Sequence, residues 1–156
     1  MNGKIAASVI VGAALIAGPL MYYLQVYGFY RPVPPTNHVT LTTRDGAQVE
    51  VPVTDFDGID SDSSPLRYRA CFGIAEPLAT LGDTYLVATD PVPLIGPGWF
   101  SCYDAVAVGE ALEAGEALAF VGTHEVSHGV DRIVAILPDG RAFAWHQLNG
   151  TLEDGD

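Results

Sequence analysis

The stretch Val130-Asp-Arg-Ile-Val-Ala-Ile-Leu-Pro-Asp-Gly-Arg-Ala-Phe-Ala-Trp-His-Gln-Leu148 contains two apolar-rich segments, 130–137 and 141–148, on either side of Pro138-Asp139-Gly140. Proline presets the backbone for a tight turn, and the Asp-Gly pair completes it. Both segments have the length and the aliphatic and aromatic content of β-strands. We therefore predict two neighbouring antiparallel strands in a C-terminal meander.

Further strands are predicted upstream of this meander. The first pair is joined by Arg44-Asp45-Gly46-Ala47, in which Asp-Gly is a strong hairpin signal. An acidic loop is expected at 55–64, and irregular structure at 90–99, where prolines and glycines are closely spaced. The predicted upstream strands are 38–43, 48–53, 66–74, 85–89 and 117–121.

One main helix is predicted to begin near Ser101 and to end at Gly115. Ser101-Cys-Tyr-Asp104 has the form of a capping box, and one face of the segment is apolar. The sequence therefore predicts an α+β domain at 37–150, with a mostly antiparallel sheet and one main helix. A stiff proline-rich stalk is expected at 31–36 and a frayed tail at 151–156.

The first 30 residues are predicted to form a transmembrane anchor. Ile5–Leu24 is almost wholly apolar and has about the 20 residues that span a bilayer core. The rival interpretation is a cleaved signal peptide. Cleavage after Ala17 would place Leu15 where a small residue is needed, so a retained anchor is favoured. Interfacial aromatic residues follow the apolar run, namely Tyr22, Tyr23, Tyr27 and Tyr30.

The charge distribution favours an N-in, C-out orientation. Lys4 precedes the apolar run, whereas all 19 acidic and six of the seven basic residues follow residue 30, so that part carries a formal charge of −13. In a bacterium, this arrangement would place the domain in the periplasm, attached to the inner membrane. The acidic charge argues against a nucleic-acid partner and against docking on anionic lipid.

The two cysteines, Cys71 and Cys102, both lie in the predicted outer domain. An even number of cysteines in an oxidising compartment favours a disulfide. A redox pair is the alternative, but the C-x-x-C spacing typical of such pairs is absent. We therefore predict a structural disulfide.

The sharpest chemical motif is His124-Glu-Val-Ser-His128, which matches H-E-x-x-H. On a helix, His124 and His128 could hold zinc and Glu125 could act as the general base. Asp131, His146 or a more distant residue could supply a third ligand. Gly122 and Gly129 bracket the motif and its flanks resemble strands, so a polar connecting loop is the favoured interpretation. Adventitious or structural metal binding is a further alternative to the catalytic zinc site.

A run of aspartates raises the possibility of a cation site. Calcium prefers several oxygen ligands, but an EF-hand loop from residue 55 would need glycine at 60 and glutamate at 66. Asp60 and Leu66 occupy those positions. The favoured interpretation is an acidic loop paired with the arginines of the next strand. The candidate ligands are Asp55, Asp57, Asp60 and Asp62.

Several phrases of the chain together resemble a family of uncharacterised, single-pass bacterial membrane proteins that carry a domain of unknown function. The resemblance implies a membrane anchor and an exterior domain, with no assigned activity and no catalytic residues. The phrases are Met1–Ile5, Met21–Tyr27, Asp60–Phe72, Gly98–Cys102 and Gly140–Gln147.

The favoured functional hypothesis is a non-enzymatic accessory or protein-interaction subunit of an envelope or membrane complex. It requires no cofactor, a bilayer around the N-terminal helix, and a membrane or periplasmic protein partner. Two alternatives remain open. One is a zinc-dependent hydrolase that uses His124, Glu125 and His128. The other is a small-ligand or cation-sensing domain built on the aspartate run.

Overall fold

A computed structural model describes residues 2–152 and divides the chain into two compact units, 1–30 and 31–156. The first unit contains α1 (Gly3–Tyr23), which continues as a π-helical segment, Leu24–Gly28. By length and composition, Gly3–Gly28 can cross a membrane, with a mean hydropathy of 2.0. The predicted N-terminal apolar helix is therefore present.

The second unit is an α+β domain, as predicted. In the described part of the chain, residues 2–152, eight strands and two short helices follow α1: β1 (Tyr30–Pro32), β2 (His38–Thr42), β3 (Gln48–Pro52), β4 (Thr54–Ser61), β5 (Arg69–Gly73), α2 (Leu78–Thr84), α3 (Ala105–Glu113), β6 (Leu118–Val121), β7 (Val130–Ile136) and β8 (Arg141–Leu148).

Six strands form one sheet in the order β1-β4-β5-β8-β7-β6, and β2 pairs with β3 in a separate hairpin. The paired strands are antiparallel: Arg69 of β5 lies opposite Trp145 of β8, which lies opposite Ile133 of β7. Because side chains alternate across a strand, Arg69, Trp145 and Ile133 share one side of the sheet. Tyr68 and Ala144 belong to the other side.

The side that carries Ala144 packs against the β2–β3 hairpin, and we call it the hairpin side. Its core includes Leu41 and Val51 of the hairpin and Phe120 and Val134 of the sheet, each at most 3% exposed. Full burial of one such side chain stabilises the fold by about 2 kcal/mol. The sheet is therefore fixed from this side by ordinary apolar packing.

The opposite side, which we call the loop side, is covered by residues 90–104 and α3. The Cys71–Cys102 disulfide joins β5 to this layer, with 6.3 Å between the Cα atoms. Tyr103 also contacts Phe143 of β8 edge-on, with 6.4 Å between the ring centroids. The disulfide predicted from the sequence is therefore confirmed.

Three predicted boundaries were wrong. The main helix begins at Ala105, because Asp104 rather than Ser101 is its N-cap and accepts hydrogen bonds from the backbone N–H groups of Val106 and Ala107. Residues 66–68 precede β5 instead of opening it. Segment 85–89 forms isolated bridges at Tyr85 and Val87 rather than a strand.

Other segments also differ from the sequence predictions. Helix α2 is absent from the sequence prediction, and the 55–64 segment predicted as an acidic loop lies largely in β4. The first residues of the expected stalk belong to β1, and the Val33 N–H donates to the Gly58 carbonyl. This part of the stalk is therefore hydrogen-bonded to the sheet. Of the predicted frayed tail, 151–152 form a turn, and 153–156 lie outside the described residues.

Candidate functional site

The H-E-x-x-H motif lies in the loop that joins β6 to β7, residues 122–129, and this loop is not helical. The Gly122 N–H donates to the Arg132 carbonyl, and the Ser127 carbonyl closes a turn by accepting from the Val130 N–H. Gly129 has φ +75°, and a Cβ there would lie 2.5 Å from Leu152 Cγ. The helical alternative is therefore wrong, and a connecting loop is confirmed.

The loop nevertheless brings titratable groups together. We call His124, Glu125, Asp131 and Asn149 the His124 cluster. Within it, His124 Nδ1 lies 2.9 Å from Asp131 Oδ1, and Asn149 Nδ2 donates to Glu125 Oε1 at 2.7 Å and to Asp131 Oδ1 at 3.0 Å. Ligand atoms of His124, Glu125 and Asp131 all lie within 4.8 Å of one another. Asp131, one of the possible third ligands, is thus adjacent.

The two histidines of the motif occupy different positions. His128 Nδ1 is 3.7 Å from Glu125 Oε2, whereas His124 contacts Asp131. Among residues 2–152, the group of metal-ligating side chains that converges contains His124 but not His128. The sequence motif therefore supplies two of the three candidate ligands in this cluster, and strand β7 supplies the third.

Glu125 is held as a carboxylate that closes its own loop. It accepts hydrogen bonds from Asn149 and from the Gly129 N–H. These two bonds, in that order of effect, hold the pKa of Glu125 below its usual value. A general base works best with a pKa near the working pH. A carboxyl whose pKa is lowered is poorly suited to the base role that a zinc hydrolase would need.

The aspartates named as candidate cation ligands do not form one cluster. Asp57 lies opposite Cys71 in the β4–β5 register, so its side chain is on the loop side of the sheet. Asp60 is three residues further along β4, so its side chain is on the hairpin side. Asp55 sits at a bulge with φ +52°. Asp62 bonds to Arg31 at 2.8 Å. The strand distributes these side chains, so the aspartate run alone does not build a cation cage.

A second feature on the loop side is the segment 90–100, which we call the proline loop. Residues 91–100 contain no charged side chain. Three large apolar side chains of the loop face solvent: Ile95 is 81% exposed, Val92 59% and Trp99 39%. The sequence had indicated only irregular structure here. The signal that could have found this surface is an uncharged ten-residue run in a strongly acidic domain.

The proline loop is held in place by hydrogen bonds to three polar side chains, two of which are buried. Arg69 is 4% exposed, and its guanidinium donates to the carbonyls of Leu94 and Ile95, both at 3.0 Å. The Tyr103 hydroxyl donates to the same Leu94 carbonyl at 2.9 Å. Gln147 accepts from the Val92 N–H at 2.9 Å. The apolar side chains are thus displayed on a fixed backbone.

A cleft of about 510 Å³ lies beside both features. Val92 and Leu94 of the proline loop line one part of it, and Asp131 and Asn149 line another. The proline loop and the His124 cluster therefore border one concave surface on the loop side. Concave surfaces with apolar walls and a few polar groups are typical of binding sites.

His146, another possible zinc ligand, belongs to a stack of rings on the hairpin side. Its ring lies 4.5 Å from the Tyr68 ring and nearly parallel to it. Nδ1 lies 2.6 Å from the Pro65 carbonyl and therefore carries the proton, while Nε2 accepts from Arg132 Nε at 3.1 Å. Burial lowers the pKa of His146 to about 4. His146 is thus a packed, buried histidine, and it remains neutral at pH 7.

We expect His146 to make the domain less stable in acid. Unfolded histidine takes up a proton near pH 6.5, whereas the folded group resists until about pH 4. Stability is therefore retained above pH 6.5 and falls by about 3 kcal/mol as the pH drops to 4. Urea unfolding of wild type and His146→Asn at pH 7, 5.5 and 4.5 measures the effect. Equal slopes in both proteins would contradict it.

The tyrosines at the end of the apolar helix form a small group of their own. Tyr23 and Tyr27 stack with their ring centroids 5.9 Å apart, and Tyr22 meets Tyr27 edge-on at 6.5 Å. Tyr30 lies in β1. Amphipathic rings at one end of an apolar helix are typical of a membrane interface. Their placement is consistent with the predicted interfacial role.

The comparisons with known proteins give one match. A model described as a family of unknown function (DUF6446) matches residues 39–155. No curated protein and no solved structure matches the chain. The resemblance to proteins with a domain of unknown function is confirmed to that extent.

Proposed function

The chain belongs to the family of unknown function DUF6446, and from that premise we propose that it is an anchored interaction subunit whose proline loop binds another envelope or membrane protein. The observation that carries the proposal is the display of apolar side chains on a fixed backbone. Ile95 is 81% exposed, while its own carbonyl is held by the buried Arg69.

Binding energetics favour such a loop. Association costs free energy for every group that it must order, so a loop already fixed in one shape loses less on binding. Tryptophan is enriched among the residues that dominate the energy of protein interfaces, and burial of exposed aliphatic side chains adds hydrophobic free energy. The proline loop offers Val92, Ile95 and Trp99 without a charge that would need to be desolvated. These features are more typical of a surface that binds another protein than of a catalytic site.

The proposed location is the outer face of a bacterial inner membrane, with the N-terminus inside. The apolar span Gly3–Gly28 supports an anchor. The disulfide supports an oxidising compartment for the domain. Lys4 before the helix and the acidic charge after it support the orientation. The same acidic charge disfavours nucleic acid and anionic lipid as binding partners of the domain.

The two alternative functions receive less support. A zinc hydrolase of the H-E-x-x-H type needs both histidines on one helix face, and the motif lies in a loop. A cation sensor built on the aspartate run needs several carboxylates at one point, and β4 places Asp57 and Asp60 on opposite sides of the sheet.

Site-specific photocrosslinking in cells tests the interaction surface. A photoreactive amino acid at Ile95 of the full-length chain is expected to give one discrete protein adduct. The matched control is Val49, which is 41% exposed and lies on β3 of the hairpin side. We expect no such adduct there. An adduct at Ile95 with lipid or with a second copy of the chain would contradict the proposal, and so would the absence of any adduct.

A further inference from the structure

We propose that the His124 cluster binds one divalent transition-metal ion through His124 Nδ1 and the carboxylates of Glu125 and Asp131. This inference is independent of the proline loop and of the proposed partner. It also differs from a zinc-hydrolase site, because Glu125 is a ligand here instead of the general base, and His128 is not a ligand.

The donor atoms already converge on a rigid base. Asp131 lies on β7, and its side chain is 12% exposed. Asn149 follows β8, and its backbone N–H donates to the Gly129 carbonyl at 2.9 Å. The same residue holds the two carboxylates through one amide nitrogen. Strand β7, the β6–β7 loop and Asn149 after β8 therefore hold the carboxylates, and His124, at 59% exposure, leaves the site open to solvent.

Only small changes in the distances between the donor atoms are needed for metal coordination. Two ligands of one zinc ion, each at about 2.1 Å from it, lie at most about 4.2 Å apart. The three donor atoms lie within 4.8 Å of one another. His124 Nδ1 and Asp131 Oδ1, at 2.9 Å, are at hydrogen-bond distance and would move apart to about 3.4 Å, the separation of two ligands in a tetrahedral zinc site. Rotation of the exposed imidazole and of the Glu125 side chain would bring the three donor atoms to the distances that one metal ion requires.

The donor set selects the class of metal. Two carboxylates and one imidazole suit zinc and other first-row transition metals, whereas calcium and magnesium prefer oxygen ligands throughout. The imidazole must bind through an unprotonated Nδ1, so the ring proton moves to Nε2 or is released. Asn149 remains a positioning residue: it donates to the carboxylates and keeps them aimed at the ion.

Zinc titration of the tag-free, full-length chain in mild detergent tests the inference by calorimetry after removal of metal with a chelator. We expect one zinc ion per chain and no saturable calcium binding. The His124→Ala and Asp131→Asn variants should raise the Kd for zinc about tenfold or more, and Asn149→Ala about tenfold. Because His124 is exposed, its variant separates lost ligation from lost folding.

The matched control is His38→Ala. His38 is an exposed histidine whose Nε2 lies 3.3 Å from a Glu50 carboxylate oxygen on the hairpin, far in sequence from the cluster. Its removal should leave the Kd for zinc unchanged. Absence of saturable zinc binding in the wild type, or an equal Kd in His124→Ala and His38→Ala, would overturn the proposed site.

Discussion

Replacement of Arg69 by methionine is expected to lower the free energy of unfolding by about 3–5 kcal/mol and to release the proline loop. Besides Leu94 and Ile95, the guanidinium donates to the carbonyls of Leu66, at 2.7 Å, and Tyr68, at 2.5 Å. Methionine fills much of the volume but donates nothing, so buried carbonyls lose their partner. Urea unfolding, followed by the fluorescence of the buried Trp145, measures the loss.

The matched control for Arg69 is Arg44. Its guanidinium also donates to a backbone carbonyl, that of Gly82, but the bond lies at the surface. Arg44→Met should cost no more than about 1 kcal/mol. In addition, limited proteolysis should cut the Arg69→Met variant within residues 90–100 faster than wild type. Equal stability of the two variants, or an unchanged cleavage rate, would contradict the role assigned to Arg69.

The β-strands of the meander could be predicted because local sequence dictates them. The 130–137 and 141–148 predictions match β7 and β8 to within one residue at their ends. Turn chemistry explains this accuracy: Gly140 has φ +90°, and a Cβ there would lie 2.5 Å from the Ile74 carbonyl oxygen. The hydrophobic pattern of a strand and a turn that requires glycine both depend on residues close together in the chain, so both can be recognised in the sequence.

Segments fixed by tertiary contacts could not be predicted in the same way. Segment 55–64 reads as a loop because aspartates disfavour strands, yet β4 forms because β5 lies beside it and Gly58 packs under Phe56. Similarly, Tyr85 and Val87 alternate like a strand but meet partners only at isolated bridges. Sequence propensity is a weak prior that pairing partners override.

In the candidate sites, too, local features could be predicted from the sequence and tertiary contacts could not. Glycine spacing predicted that the H-E-x-x-H motif would lie in a loop, and Asp131 was among the possible third ligands. No local pattern, however, could reveal Asn149 between the two carboxylates, since it reaches them from the far end of β8. The contact of Arg69 with the proline loop likewise joins residues 25 and 26 positions apart. Such contacts follow from topology.

Removal of the Cys71–Cys102 disulfide is expected to lower the free energy of unfolding by about 3–4 kcal/mol. The two cysteines are separated by 31 positions, so the bond restricts a long loop in the unfolded chain. That loop contains α2 and the whole proline loop. Urea unfolding of a Cys71→Ala/Cys102→Ser double variant measures the change, and the photocrosslink from Ile95 should weaken in parallel.

Treatment with a reducing agent distinguishes loss of the disulfide from side effects of the two substitutions. If the disulfide stabilises the fold, a reducing agent should bring wild type close to the stability of the double variant and leave the variant unchanged. A wild type that keeps its stability in reductant would contradict the prediction. Because Cys102 directly follows the proline loop, the same bond that limits the unfolded chain also anchors this loop to β5. The disulfide thus links the stability of the fold to the shape of the proposed binding surface.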